Sequence, residues 1–592
     1  MKVGQLHAKI VIAMILKEYE IHQSLDDKNE LDSRSTFTAA ANGINVELEI
    51  NLQFISPIPN LNNDFIYRLN QLINNCKSSG KIQSRFIATV TMVDYLTLLT
   101  TSVAITVGIY YVWSKYKLNY WQRLGVPTLP TNIIFGNFKD SIFLRISPGF
   151  LLGRLYKEAN DDWPFFGVYV MQKPFLLLRD AKLIKQMFIR DANIFRDRYF
   201  SSRNTNDLLG SRNLVSIKHP EWKYLRAKLS PTFTTGKLKQ FFSLMVETSK
   251  FLNNFLDKKF KERDLQSIEI KEVCTMYTTD IISSVAFGVS TNSFDDPTPE
   301  FYVRSRTPFI MTLKRTLQIF GIFFFPWLGR FYNHSFFGKD TDYFRHVFWS
   351  SLNAREKAKV ERGDMIDSLI KLKNEKQAAD FKFEGDTLVA QSGIFFIAGL
   401  ESSAVTMSFA LYEIARNPQV QKRVREEIHE CLKDNELTYD IINNMKYLMQ
   451  IIHETMRFYP PAPIIDRMAS EDYKIPDSDV TIKKGTIVYA PLPGLHMDPK
   501  YFPDPEKFDP DRFSDERKHE IEPCSYMPFG EGPRICIGLR VGLLQTATGL
   551  IRILNNYELS VDPKYNTAIC TRNVFTTPNA TGIHLYLKKI KT

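Results

Sequence analysis

The length and composition of the chain exclude several classes of protein. With 592 residues and 44% hydrophobic content, the chain can bury a large core and is not a small domain stapled by disulfides. Its formal net charge of +11 suits an anionic membrane surface or an acidic protein partner better than nucleic acid, because no basic run is interleaved with stacking aromatics. The cysteines follow no metal or disulfide spacing, which indicates a reducing compartment: Cys76, Cys274, Cys431, Cys524, Cys536 and Cys570.

Residues 1 to about 50 repeat a segment near the C-terminus. One copy is not the periodic array of a repeat protein. We interpret the repeat as the tail of a second, related protein joined in front of a chain that starts at Met92, so that residues 1–91 are a spurious or peripheral appendage. The alternative is a genuine N-terminal extension with its own role. The matches keep one offset until an inserted residue shifts the last: Val3-Gly4 with Val541-Gly542, Tyr19-Glu20 with Tyr557-Glu558, and Gly43-Ile44 with Gly582-Ile583.

The segment from Val93 to Trp113 predicts a membrane anchor. It is apolar apart from Asp94 and several hydroxyls, lacks Lys and Arg, and is long enough to cross a hydrocarbon layer. Basic residues and two prolines follow in a hinge of residues 115–130, and by the positive-inside tendency they place the C-terminal portion in the cytosol. The predicted organisation is therefore an anchor over residues 92–114, the hinge, and one large domain over residues 131–592.

Two shorter segments of that domain carry weaker signals. Trp222 and Arg226 lie four residues apart, so a helix would place them on one face. The apolar stretch from Ile319 to Leu328 is too short to span a membrane. It could dip into a bilayer or belong to the core.

The apolar run from Asp386 to Arg416 predicts a central helix of roughly 45 Å at 1.5 Å per residue. Ala398 and Gly399 in its middle would let a flat cofactor lie against the helix. Glu401 and Ser402, an acid and a hydroxyl, could pass protons to a reacting group. The alternative is an ordinary polar kink in a buried helix.

A later helix pairs opposite charges. Glu454 and Arg457 are three residues apart on one face, and the segment ends at Pro460. Arg512 follows in a Pro-rich stretch. A surface helix can carry such a pair by chance, whereas buried charges of this kind must be paired.

The segment from Phe529 to Gly538 predicts a tight loop that exposes the thiolate of Cys536. Its glycines, Gly530, Gly532 and Gly538, can take positive φ values and let a flat ligand approach the backbone. The apolar helix predicted over residues 539–556 would stabilise the thiolate with its N-terminal partial charge. Arg534 could reach an anionic haem propionate. A lone Cys after a Gly-rich turn is otherwise usually structural.

The loop Phe-x-x-Gly-x-Arg-x-Cys-x-Gly, intact here, resembles the haem-binding signature of the cytochrome P450 superfamily of haem-thiolate monooxygenases. Four motifs stand in family order over residues 222–538. The resemblance implies the cytochrome P450 fold, mainly α with small β-sheets (α+β), behind an N-terminal membrane anchor helix. It implies that residues 131–592 form the catalytic domain, that Cys536 ligates the iron of haem b, and that Phe529, Gly530, Arg534 and Gly538 belong to its binding loop.

The same resemblance gives roles to the other motifs. Trp222 and Arg226 would meet a haem propionate, and Glu454, Arg457 and Arg512 would form a buried structural triad. Ala398, Gly399, Glu401 and Ser402 resemble the oxygen-activation motif of the central helix. The sequence departs from the family at Ser402, where Thr is usual. The hydroxyl is kept and a methyl group is lost, which puts the rigidity of the proton relay in question.

The function implied is insertion of one atom of dioxygen into an apolar small molecule. Electrons would come from NADPH through an FAD/FMN reductase that docks near the Cys536 loop, with cytochrome b5 as a further partner. The expected location is the cytoplasmic face of the endoplasmic reticulum membrane. Two alternatives stay open: a haem-thiolate isomerase or dehydratase, and a haem protein that sequesters hydrophobic ligands without turnover.

Finer resemblance concerns the substrate. The residues Asn119-Tyr120-Trp121 and the segment from Arg362 to Asp367 are similar to insect microsomal enzymes that oxidise plant toxins and insecticides. The substrate pocket that the resemblance implies is apolar. Such a pocket discriminates weakly between substrates, since each methylene is worth only about 1–3 kcal/mol. Substrate identity stays open. By family position the pocket would be lined by Phe395, Pro463, Ile464, Ile465, Thr576 and Thr577.

Overall fold

The structure is a computed structural model of the chain. It describes residues 35–41, 44–50, 92–200, 207–296, 299–310, 312–326, 338–377, 381–433, 435–565 and 582–590. Thr576 and Thr577 lie outside the described residues. The chain divides into two compact units, residues 1–109 and residues 110–592, and each is described by itself.

The described N-terminal residues include a β-hairpin. Strands β1 (Ser35–Ala41) and β2 (Ile44–Ile50) pair antiparallel, from Ser35 opposite Ile50 to Ala41 opposite Ile44. The repeat aligns β2 with residues 583–589, and His584–Lys589 is also a strand. The two copies of the repeat therefore have a strand at the same place.

Helices make up most of the described chain, which confirms the prediction of a mainly α fold with small sheets. In chain order they are α1 (Met92–Leu118), α2 (Tyr120–Arg123), α3 (Lys139–Ile142), α4 (Pro148–Glu158), α5 (Ala181–Lys185), α6 (Leu208–Ser211), α7 (Glu221–Leu229), α8 (Thr235–Lys259), α9 (Ile270–Ile282), α10 (Glu300–Arg306), α11 (Leu313–Phe324), α12 (Thr341–Ala358), α13 (Met365–Asn374), α14 (Gly385–Arg416), α15 (Pro418–Leu432), α16 (Tyr439–Asn444), α17 (Lys446–Phe458), α18 (Leu492–Leu495) and α19 (Leu539–Leu554).

The remaining strands form small sheets. They are β3 (Phe165–Val170), β4 (Lys173–Leu178), β5 (Leu265–Glu269), β6 (Ile464–Met468), β7 (Tyr473–Lys474), β8 (Thr481–Ile482), β9 (Ile487–Pro491), β10 (Tyr557–Val561) and β11 (His584–Lys589). One sheet has the order β3-β4-β9-β6, a second has the order β10-β11-β5, and β7 pairs with β8. Only β4 and β9 pair in parallel among these strands, with Leu176 opposite Val488.

Helix α14 is the centre of the helical part. It packs against α9, α17 and α19, and most of its residues are buried. Among the described residues it is the one helix long and apolar enough to cross a membrane. Of its most apolar stretch of 18 residues, 67% is buried inside the protein. Its apolarity on all sides is therefore accounted for by the core.

Helix α1 has the opposite character. Its apolar side chains point outward, with Val103, Val107 and Val112 each more than half exposed. Its last turn carries Lys115 and Lys117. The anchor stays a prediction, and an exposed apolar surface of this kind is what an anchor requires.

The described part of the second apolar stretch belongs to the core. Ile319, Ile322 and Phe324 in α11 are nearly fully buried, and Phe324 packs edge-on against Phe138 at 5.1 Å between ring centroids. The core interpretation is thus favoured for residues 319–326.

Candidate active site

A tight loop carries Cys536. The Cys536 N–H donates to the Phe529 carbonyl at 2.9 Å, which closes the loop. Gly530 and Gly532 have φ values of +74° and +72°. A Cβ at Gly532 would lie 2.0 Å from the carbonyl oxygen of Phe188, so no larger residue fits there without moving the backbone.

The thiol of Cys536 is accessible although protein surrounds it deeply, so it faces a cleft. Burial raises the pKa of this thiol, while the Gly538 N–H and the charges of Arg198 and Arg226 act in the opposite direction. Gly538 itself has φ −90° and begins α19 as its N-cap, so the expected left-handed conformation is wrong at this glycine. These donors only partly offset burial, and a metal cation bound to the sulfur would complete the ionisation of the thiol.

The middle of α14 lies in the same region. Gln545 of α19 donates from Nε2 to the Gly399 carbonyl at 3.4 Å, which ties the helix after Cys536 to the centre of α14. Ala398 is exposed and its neighbours on the same stretch of α14 are partly exposed, although most residues of the helix are buried. Both Ala398 and Cys536 therefore face open space inside a packed region.

Arginines hold the carbonyls of the cysteine loop. Arg467 donates to the Glu531 carbonyl at 3.0 Å, Arg198 to the Arg534 carbonyl at 3.3 Å, and Arg226 to the Ile535 carbonyl at 3.0 Å. Three guanidinium groups from distant parts of the chain thus fix the backbone just before the sulfur.

Arg534 completes this arginine cluster (Arg198, Arg226, Arg467 and Arg534). It pairs with Asp197 at 2.8 Å, donates to the Ile217 carbonyl at 3.1 Å, and lies 4.1 Å from the ring of Trp222. Its guanidinium is therefore occupied by protein groups. The contact of Arg534 with a haem propionate stays a prediction.

The cluster carries excess positive charge. Burial lowers the pKa of Arg467 and of Arg534 to about 9, and the charge of Arg198 acts in the same direction on both. The carboxylates that oppose this shift are Asp197 and Asp466. The charges of the four guanidinium groups are opposed by two carboxylates and by the thiol of Cys536, which acts on Arg226, so the arginines outnumber the groups that can compensate them.

This excess fits haem b, whose two propionates carry two negative charges. Arg198 supplies a further sign, because its buried Nε has no hydrogen-bond partner among the described residues. A thiol facing a cleft, an exposed alanine on α14 and an unpaired buried donor together suit a flat dianionic cofactor with a metal at its centre.

The acid and hydroxyl of α14 point in different directions. Ser402 donates from Oγ to the Ala398 carbonyl at 2.5 Å, which places the hydroxyl on the open side of the helix. Glu401 forms an ion pair with Lys271 of α9, at 3.0 Å between Oε2 and Nζ. The hydroxyl oxygen keeps lone pairs that can accept a proton from the open side.

Gly399 lies against helix α9. A Cβ at this position would lie 2.7 Å from Cδ1 of Ile282 on α9. The missing side chain therefore permits close packing of α9 on α14, and the role of Gly399 beside a cofactor stays a prediction.

Glu454, Arg457 and Arg512 meet in the interior. Glu454 and Arg457 are fully buried and form two hydrogen bonds of 2.8 Å. Arg512 brings its Nε to 3.5 Å from Glu454 Oε1. Arg457 also donates to the carbonyls of His496 and Pro505, both at 2.8 Å. The triad thus ties α17 to the chain that leads to the cysteine loop.

The predicted pocket residues are not all brought together. Phe395 packs against Phe233, with 5.1 Å between ring centroids. Ile464 and Ile465 are neighbours on β6 and therefore point to opposite faces. Ile465 is buried beside Gly530, Ile464 packs with the aromatic cluster of Phe324, and Pro463 is buried.

Sequence reasoning missed several residues of this site. Arg198, Arg467 and Lys271 belong to no spaced motif, and each comes from a segment remote from Cys536 or Glu401. The available signal was a charged side chain inside an otherwise apolar run, as in Ile464-Ile465-Asp466-Arg467-Met468. Buried charges of this kind require partners.

Comparison with known proteins agrees with this geometry. The family model described as Cytochrome P450 matches residues 132–585. Cytochrome P450 6k1 of Blattella germanica is 40% identical over 487 residues, covering 79% of this chain and 91% of that protein. Probable cytochrome P450 6g2 of Drosophila melanogaster is 38% identical over 510 residues, covering 83% and 98%. Cytochrome P450 9e2 of Blattella germanica is 33% identical over 500 residues, covering 80% and 94%. Arginines bind the carbonyls of the cysteine loop, and the central helix is exposed at Ala398. This geometry and the extended matches lead to one conclusion: the chain belongs to the cytochrome P450 family.

Proposed function

We propose that the protein is a membrane-anchored monooxygenase that inserts one atom of dioxygen into lipophilic small molecules, with electrons from NADPH delivered by an FAD/FMN reductase. The observation that carries this proposal is the cysteine loop, whose carbonyls are held by three arginines and whose thiol faces a cleft. When bound through a thiolate, haem supplies dioxygen activation, because the thiolate donates electron density that favours O–O cleavage.

The residues of the chain then divide the work. Cys536 would hold the iron, and Arg226 and Arg198, whose buried Nε is unpaired among the described residues, would hold the propionates. Ala398 would leave room for the cofactor against α14. Ser402 would pass protons from its hydroxyl on the open side of α14, and Glu401 would supply them from the adjacent position.

The acid and hydroxyl pair distinguishes this proposal from the other haem-thiolate activities. An isomerase or dehydratase that uses peroxide substrates has no need of proton delivery from Glu401 and Ser402. A sequestering haem protein would need neither the pair nor electrons. Both remain outcomes of the experiment below.

Membrane attachment is proposed from α1 and the charge pattern. The exposed apolar side chains of α1 would enter the bilayer, and the basic residues after it would stay on the cytoplasmic face of the endoplasmic reticulum. The net charge of +11 suits an acidic reductase, with cytochrome b5 as a second electron donor. The similarity to cockroach and fly proteins of the family supports xenobiotics as the substrate class.

We propose separately that residues 1–91 are dispensable for this activity. The repeat with the C-terminal segment, the shared strand and the start of the family match at residue 132 support this proposal. A second copy of α19 would have no docking site, since residues 539–554 already occupy it.

The test is reconstitution of the protein with reductase, NADPH and a panel of lipophilic substrates. Cys536→Ala should abolish the carbon monoxide difference spectrum of a thiolate-bound haem and all product formation. Cys524→Ala is the control, because Cys524 is buried and burial raises the pKa of its thiol to about 11. A thiolate spectrum retained in Cys536→Ala would contradict the ligand assignment. Haem binding without product from any substrate would favour sequestration.

A further inference from the structure

The ion pair between Lys271 and Glu401 is the most protected from solvent among the lysine ion pairs of the described residues. The Lys271 side chain is 10% exposed and that of Glu401 is 21% exposed, with 3.0 Å between Nζ and Oε2. A lysine is rarely buried to this extent without a partner. The pair between Lys373 and Glu356, also between two helices, is about 30% exposed on each side. Lys271 is therefore held beside Glu401 more closely than a surface lysine would be.

The backbone under Lys271 is firmly held. The neighbouring Ile270 N–H donates to the Ile583 carbonyl at 2.9 Å, and Glu269 caps α9 by accepting from the Glu272 N–H at 2.6 Å. Lys271 thus lies in the first turn of α9, at its junction with the sheet of β5 and β11. Its ammonium group reaches Glu401 from a fixed point.

This contact decides where the carboxylate of Glu401 lies. Successive residues on an α-helix point about 100° apart, so Glu401 and Ser402 leave α14 in different directions. Ser402 lies on the open side with its hydroxyl against the Ala398 carbonyl, whereas Glu401 is held on the side of α9. The Glu401 carboxylate must first accept a proton from solvent water and then donate it towards the Ser402 hydroxyl, and this is possible only if the carboxyl group has a defined place.

We propose that Lys271 is a positioning residue for proton delivery: its ammonium group holds Glu401 in the place from which the carboxyl serves Ser402. The inference rests on the proposed monooxygenase function and concerns the control of the same site. Lys271 touches neither substrate nor cofactor in this scheme. Its effect is on how many electrons end in product and how many end in peroxide.

The experiment compares Lys271→Met with wild type in full-length protein reconstituted with reductase, using 7-ethoxycoumarin as the probe. Product formed per NADPH should fall roughly threefold to tenfold, well within the 10²-fold loss that a 1 Å misplacement can cause. Peroxide should rise in proportion, and KM for the probe should stay unchanged. The solvent isotope effect on product formation should increase, because proton delivery becomes slower.

Three further variants separate positioning from simple stability. Lys271→Arg should restore the ratio, because a guanidinium can hold the same carboxylate. Lys373→Met, which breaks the more exposed pair with Glu356, should leave it unchanged. The double variant of Lys271→Met with Glu401→Gln should match Glu401→Gln alone in product formed per NADPH and in thermal unfolding midpoint. The reason is that the effects of replacing the two partners of one ion pair do not add. Lys271→Gln serves in place of Lys271→Met if the latter loses haem.

The outcomes are distinct. An unchanged product-to-NADPH ratio in Lys271→Met, beside a productive wild type, would overturn this inference alone. The inference would also be overturned if the effects of Lys271→Met and Glu401→Gln were non-additive for the thermal unfolding midpoint but additive for product per NADPH. The ion pair would then be purely structural. If the wild-type protein does not turn over 7-ethoxycoumarin, the comparison uses a substrate from the panel that it does turn over. A wild-type protein that formed no product from any substrate of the panel would overturn the proposed function and this inference with it.

Discussion

Replacing Glu454 with Gln should destabilise the protein severely. The carboxylate is fully buried and accepts two hydrogen bonds of 2.8 Å from Arg457 and one of 2.9 Å from the Asp509 N–H. In Glu454→Gln an NH₂ group replaces one of these oxygens and faces an N–H donor. The charge of Arg457 is then left without a counter-charge in the interior.

The magnitude follows from that burial. Removing one partner of a buried ion pair costs about 3–5 kcal/mol. Native proteins are stable by only about 5–15 kcal/mol, so about a fifth or more of the total would be lost. Arg457 also anchors the carbonyls of His496 and Pro505, so the damage should extend toward the segment that leads to the cysteine loop.

Urea unfolding, followed by loss of the thiolate carbon monoxide spectrum, measures this cost. Glu413→Gln is the matched control: Glu413 is also buried, but the Arg416 side chain that pairs with it is 52% exposed and can return to water. Burial raises the pKa of Glu413, so its charged form is already disfavoured, and a Gln oxygen at this position can still accept from the Tyr459 hydroxyl. Glu413→Gln should therefore cost clearly less than Glu454→Gln. Equal losses in the two variants would refute the reasoning.

Three further predictions concern proton delivery, acid stability and the N-terminus. Ser402→Ala should keep its haem yet divert electrons to peroxide, whereas Ser402→Thr should preserve or improve coupling; unchanged product per NADPH in Ser402→Ala would remove the residue from the relay. Burial lowers the pKa of His453 to about 4 and of His496 to about 3, from an ordinary 6.5, so the unfolded chain binds more protons and stability should fall as pH drops from about 6.5 toward 4. Urea midpoints across that range should fall less steeply in His453→Gln, and an identical slope would be the contrary result. Expression from Met92 should give a membrane-bound protein with full haem content, and protease protection should place its C-terminal portion in the cytosol; loss of haem or of insertion would make residues 1–91 a working part of the protein.

The sequence by itself determined the family, the position of the cysteine loop and the helical character of the fold. These features are local. The cysteine loop needs glycines, an arginine and a thiol at fixed spacing, and α14 needs a long apolar run, so both are legible in consecutive residues. The predicted boundaries at 386 and 416 lie within one residue of the observed helix, Gly385–Arg416.

Tertiary structure decided which side chains complete the site. Arg198 and Arg467 reach the cysteine loop from positions that no spacing rule connects to Cys536, and Lys271 reaches Glu401 across 130 positions of chain. Packing also placed the Ile282 side chain against Gly399. The pleat of β6 turned Ile464 and Ile465 to opposite faces of the strand. The physical reason is that burial and charge pairing depend on distances between remote segments, which exist only after the helices and sheets have packed.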